Sequence, residues 1–128
     1  MSNDRLLVID DEPDFCTFVA RVGRKLSYEV KVATTADEFK ATYRRFRPTM
    51  ITLDMMMPKA NGIELVEWLA ATDCTARVFI LSGGDSNFAS MAKILGAIAG
   101  LPSITRLRKP ISVADLENAF RQTSVGVH

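Results

Sequence analysis

"RLLVIDDEPDFCTFVARVGRKLSYEVKVA", residues 5–33, passes through three hydrophobic patterns in succession. LLVI (6–9) is a short, partly β-branched apolar run bounded by polar residues, the signature of a strand buried on both faces. Phe15, Phe18, Val19, Val22 and Leu26 then recur at spacings of three and four with Arg21 and Arg24 opposite, which predicts an amphipathic helix. YEVKVA (28–33) alternates apolar with polar, as a strand with one face or one edge nearer water does. The stretch is therefore a strand–helix–strand unit.

The same alternation continues to the end of the chain. MITL (50–53) and VFIL (78–81) are further interior strands, and ITRLRK (104–109) alternates like 28–33, so those two segments are expected at the sheet edges. Between them, Thr35 three residues before Glu38 forms a capping signature ahead of Phe39, Tyr43 and Phe46, and Pro48 stops that second helix. A third helix is expected from Gly62 through Trp68 with Ile63, Val66 and Leu69 inward, and a fourth from Ser86 toward Ala99. Gly100 and Pro102 end the fourth, and a fifth starts near Ser112 and buries Val113, Leu116 and Phe120. Five βα repeats imply an α/β fold: a doubly wound, five-stranded parallel sheet of order 2-1-3-4-5, flavodoxin-like, with five helices on two faces.

Composition bounds the function classes. With 128 residues, 48% of them hydrophobic, one domain over 1–128 is expected, its core at about 4–123 and 124–128 a frayed tail. Sixteen Lys and Arg against fifteen Asp and Glu leave a net charge of +1, which gives no electrostatic case for direct nucleic-acid binding or an anionic membrane. Cys16 and Cys74 are too few for a disulfide scaffold, no signal peptide precedes RLLVID, and ILGAIAGL (94–101) falls far short of the roughly 20 residues that span a bilayer. A cytoplasmic protein with free thiols is expected.

In a sheet of this order the chemistry collects at the carboxyl ends of the strands, around the switch point between strands 1 and 3. Those ends read Asp10, Asp11 and Glu12; Asp54; Ser82; and Lys109 followed by Pro110. Carboxylates so close repel unless one protonates or a cation sits among them, and an all-oxygen set with open positions suits Mg2+ carrying a phosphate oxygen. Asp54 can then attack phosphorus, Asp10 and Asp11 hold the metal, Lys109 pairs with phosphoryl oxygens and Ser82 donates to another.

VIDDEPD, LDMMMPKANG, ILSGGD and LRKPIS, in that order and spacing, resemble the receiver domain of two-component response regulators across essentially the whole chain. The resemblance implies a phosphorylation-dependent switch, with Asp54 accepting a phosphoryl group from the phosphohistidine of a partner histidine kinase or phosphotransfer protein. It further implies Mg2+ held by Asp11 directly, Asp10 through water, Asp54 and the backbone carbonyl of Met56. Ser82 and Lys109 take the family's hydroxyl and lysine roles, and an effector or covalently attached output domain reads the state. The single histidine is His128, the last residue, so an outside donor is needed. One departure stands out: the aromatic residue that the family often carries three positions before the lysine is here Arg106.

Two other readings compete. An aspartyl-nucleophile phosphatase needs a second acid two residues after the nucleophile, where this chain has Met56, so no enzyme is expected beyond self-phosphorylation from small donors and autodephosphorylation. A receiver-like interaction module that takes no phosphate would not need the complete set of site residues. Singly, an acid at a strand end often only caps a helix; Cys16, at the flank of the helical stripe, and Cys74 are expected to be unreactive; Arg21, Arg24 and Lys25 form a solvated face; and Trp68 is partial core.

Overall fold

Each strand forms where an apolar run can be shared between two faces. In a computed structural model that describes residues 3–55, 62–83 and 99–122, these runs are β1 (Arg5–Ile9), β2 (Glu29–Ala33), β3 (Met50–Asp54), β4 (Arg77–Gly83) and β5 (Ile104–Lys109). They pair in parallel in the order β2-β1-β3-β4-β5. β3 is buried throughout, β1 and β4 are half-buried only at their ends, and β2 and β5 carry the exposed positions, so the alternating strands lie at the edges as expected.

Among the described residues four helices appear: α1 (Pro13–Lys25), α2 (Ala36–Phe46), α3 (Gly62–Ala71) and α4 (Val113–Gln122). Five are expected from the sequence, and the additional one, at 86–99, lies outside the described residues except for Ala99. Gly100 just after it has φ 101°, the left-handed conformation a glycine helix stop requires. The sheet's two faces separate the core. Leu7, Ile9, Ile51, Leu53, Val78 and Ile80 meet Phe39 of α2 and Leu65, Val66 and Leu69 of α3. Leu6, Val8, Met50 and Phe79 meet Val19 and Val22 of α1 and Leu116 and Phe120 of α4 on the other side. The two-residue period of a strand sends successive side chains to opposite layers, which is why the interior strands are continuously apolar.

Two local expectations need correction. The buried stripe of α1 is Cys16, Val19, Ala20, Val22 and Gly23, with Phe15, Phe18 and Leu26 only half-buried. A Cβ on Gly23 would stand 2.8 Å from Leu6 Cδ2, so the helix approaches the sheet on its small-residue side and Cys16 falls at the centre of the contact rather than at its flank. Val113 is 44% exposed instead of buried, because α4's inward stripe starts one turn later at Leu116. The α2 cap forms as expected: Thr35 Oγ1 accepts from the Glu38 backbone N–H (3.1 Å), and the Glu38 carboxylate accepts in turn from the N–H of Thr34 (2.7 Å).

Candidate functional site

The pairing register carries the strand-end residues into one place. Ile9 stands beside Leu53, so Asp10 follows next to Asp54; Asp54 is opposite Leu81; and Gly83 is opposite Lys109. Asp10 shares the face of Leu6 and Val8, Asp54 that of Met50, and Lys109 that of Leu107, all packed toward α1 and α4. Met55 N–H donates to Leu81 O at 2.9 Å and locks the end of β3 to β4 just beyond Asp54.

Asp10 is 1% exposed and held from several sides. One carboxylate oxygen accepts from the Glu12 backbone N–H at 2.9 Å, the other from Lys109 Nζ at 3.0 Å. Its backbone carbonyl accepts from the Cys16 thiol at 3.3 Å. Lys109 Nζ also lies 3.6 Å from Asp54 Oδ1 and 4.0 Å from Glu12 Oε1. Burial pulls the ammonium's pKa down, but the hydrogen bond to Asp10 and the charges of Asp54, Asp10 and Glu12 outweigh it, leaving the pKa above the ordinary lysine value. Burial, and then the neighbouring Asp10 charge, push the Cys16 thiol up to about 11, so it stays protonated.

Carboxylate oxygens of Asp10, Asp11 and Glu12 come within 4.8 Å of one another, Asp10 buried and the other two exposed. An all-oxygen acidic cluster of this kind fits a hard divalent cation, with the exposed acids facing the solvent from which hydrated metal arrives. Ser82 makes no hydrogen bond to this group. It falls on the opposite strand parity, with Val78 and Ile80, fully buried, and its hydroxyl has no hydrogen-bond partner among the described residues. The Met56 carbonyl lies outside the described residues, and Arg106 is half-buried on β5 opposite Ile80.

Two contacts were not expected from sequence. The Cys16 thiol reaches the Asp10 carbonyl, and Lys109 Nζ stands 4.1 Å from the centroid of the Phe15 ring. Both follow from α1 starting directly over the end of β1, which no spacing rule for Asp10 or Lys109 reveals.

Residues 6–121 match the response regulator receiver domain family. The chain belongs to that family. It is a receiver domain of two-component response regulators, a phosphoacceptor signalling module. It is 29% identical over 121 residues to the photosynthetic apparatus regulatory protein RegA of Rhodobacter capsulatus, covering 94% of this chain and 63% of that protein. It is 25% identical to sporulation initiation phosphotransferase F of Bacillus subtilis, covering 95% and 94% of the two chains. A receiver domain from Clostridium thermocellum superposes with TM-score 0.78 at 27% identity, over 91% of this receiver and 90% of that chain. The receiver thus spans nearly all of some relatives and less than two thirds of others. No helix among its described residues is long and apolar enough to cross a membrane.

Proposed function

We propose that Asp54 is the phosphoacceptor and that Asp10, Asp11 and Asp54, with the Met56 carbonyl, hold Mg2+. The observation that carries this reading is the placement of Lys109 Nζ between two buried carboxylates, 3.0 Å from Asp10 and 3.6 Å from Asp54. A bound Mg2+ supplies charge neutralisation for a transferring phosphoryl group. The chain's own residues do the rest. Asp54 offers a carboxylate oxygen that forms the new bond to phosphorus, while the bond from phosphorus to the donor nitrogen breaks and the nitrogen leaves with the electron pair. Lys109, released from Asp10, neutralises a phosphoryl oxygen, and Ser82, whose hydroxyl has no partner among the described residues, donates to another.

The donor is a histidine kinase or phosphotransfer protein in the cytoplasm, and the readout passes to an effector or attached output domain. With Arg106 where an aromatic is common, that readout depends on Ser82 and the segment after β4 more than on a ring rotating on β5. The module turns over no substrate beyond its own phosphorylation and dephosphorylation. Intact-protein mass after incubation with phosphoramidate tests the reading: one phosphoryl adduct is expected with Mg2+, none without it, and none in Asp54→Ala. An adduct that persists in Asp54→Ala refutes the assignment, and a wild-type protein that binds Mg2+ but takes no adduct points to the phosphate-independent interaction module.

A further inference from the structure

We propose that Phe15 is a positioning residue for Lys109, its ring face keeping the ammonium in reach of the group that forms on Asp54. The inference deepens the preceding reading and depends on Asp54 being the phosphoacceptor. Lys109 ends the edge strand β5 on a stem with four rotatable bonds, and a strongly hydrated ammonium on such a stem has every reason to leave for water. Its carboxylate contacts hold it on one side, at 3.0 Å to Asp10, 3.6 Å to Asp54 and 4.0 Å to Glu12. The Phe15 ring closes another side at 4.1 Å, well inside the roughly 6 Å over which an aromatic face attracts a cation.

The two kinds of hold respond differently to the reaction. A divalent cation among the acids draws on the same carboxylate charge that binds Lys109, and the lysine has to give up Asp10 to serve a phosphoryl oxygen. The ring is uncharged, so its attraction persists when the carboxylate charge is shared with a metal. It therefore limits how far the ammonium swings during that exchange.

Phe15 is placed to do this by the start of α1 and by its position at the margin of the core. It sits in the first turn of α1, whose start is tied to the end of β1 by the Cys16 thiol on the Asp10 carbonyl (3.3 Å). Its ring leans on Phe18, with centroids 5.7 Å apart. The residue is only half-buried and packs at the margin of the α1-side core, beside the fully buried stripe, so an aliphatic replacement of similar size keeps that packing. Phe15 also lines a groove with Phe18, Pro110 and Ile111, and a small phosphodonor separates positioning from any contact a protein donor makes there.

The experiment measures the rate of adduct formation from phosphoramidate and Mg2+ for wild type, Phe15→Leu, Phe15→Tyr, Lys109→Gln and the Phe15→Leu/Lys109→Gln double variant. Phe15→Leu is expected to slow the reaction about two- to tenfold, as loss of a cation–π contact implies, and Phe15→Tyr, which keeps the ring, to recover the rate. In the Lys109→Gln background Phe15→Leu should have no further effect. A Phe15→Leu rate equal to wild type, or an equal loss in both backgrounds, overturns the inference. The free protein gives a reading independent of phosphorylation: the Lys109 ε-methylene protons should show an upfield ring-current shift by NMR. Its absence removes the contact even where Asp54 is phosphorylated normally, whereas its presence without any adduct on wild type defeats the phosphoacceptor reading and the positioning role with it.

Discussion

Single side chains at the strand ends carry opposite kinds of strain. Asp10, though buried, has each carboxylate oxygen satisfied, one by Glu12 N–H and one by Lys109. Ser82 is buried with its hydroxyl unpartnered among the described residues, a condition that costs about 1–3 kcal/mol where no water relieves it. A polar atom left in that state stabilises whatever conformation supplies its missing partner. Ser82→Ala is therefore expected to leave the denaturation midpoint of the resting protein unchanged or higher, while weakening the change in Trp68 fluorescence or NMR shifts that accompanies phosphorylation. A lowered midpoint in Ser82→Ala would mean that the hydroxyl is already satisfied at rest. The sequence disclosed Asp10, Asp54, Ser82 and Lys109 because each closes a strand and the parallel order puts all strand ends at one edge. It did not disclose that Ser82 has the opposite parity from Asp54, since that depends on a register between β3 and β4 that neither strand's own pattern states. Phe15 is legible as an apolar helical residue and illegible as a neighbour of Lys109, because the two stand 94 positions apart with three crossover connections, β2 to β3, β3 to β4 and β4 to β5, between them.

At the scale of elements, packing of the helices decides how firmly the site residues are held. α3 begins at Gly62, where an added Cβ would stand 2.8 Å from Met55 Sδ and 3.0 Å from Met55 Cα. The sulfur could shift, but the backbone of Met55 is hydrogen-bonded to Leu81 O and follows directly on Asp54. Gly62→Ala is therefore expected to destabilise by about 1–3 kcal/mol despite alanine's better helix propensity, and to slow the phosphorylation proposed at Asp54 by displacing the end of β3. Denaturant unfolding alongside the phosphoramidate rate checks both; an unchanged rate with lowered stability would confine the clash to the helix. Helix identities were readable from period and caps: Thr35 does cap α2, and Arg47 ends it in a left-handed conformation (φ 52°) just before Pro48. The faces were read less well. Trp68 packs edge-on against Tyr43 (5.2 Å) and Phe39 (6.2 Å), so α2 and α3 share one layer, a pairing that follows from sheet order and not from either helix's own sequence. Val113 fits the apolar period yet is 44% exposed, because the inward stripe of α4 starts only at Leu116.

For the whole molecule, near-neutral net charge conceals two local clusters that bracket stability in pH. Glu117 joins α4 to α1 through Lys25 at 2.8 Å and accepts a second contact from Arg121 at 3.6 Å. The Lys25 hydrogen bond, with the nearby positive charges, holds its carboxyl below the ordinary value of 4.5. A lowered folded pKa means stabilisation that is present above the unfolded value and lost as pH falls through the folded one, so this contribution disappears on the acid side. Lys109 and Cys16 act in the other direction. The lysine lies above its ordinary 10.5 and the thiol rises from 9.0 to about 11, so both contributions are complete at neutral pH and are lost as pH rises through those folded values. Without metal, the denaturation midpoint is expected to stay level between about pH 5 and pH 8 and to fall on either side. Glu117→Gln should flatten the acid limb and leave the alkaline limb in place, whereas Cys16→Ala should shallow the alkaline limb from about pH 9 upward. The two ends are independent because α1 meets α4 at its C-terminal end through Lys25 and meets the acidic pocket at its N-terminal end through Cys16. A Glu117→Gln change that also altered the alkaline limb would show instead that α1 transmits charge at one end of the sheet to the acidic pocket at the other.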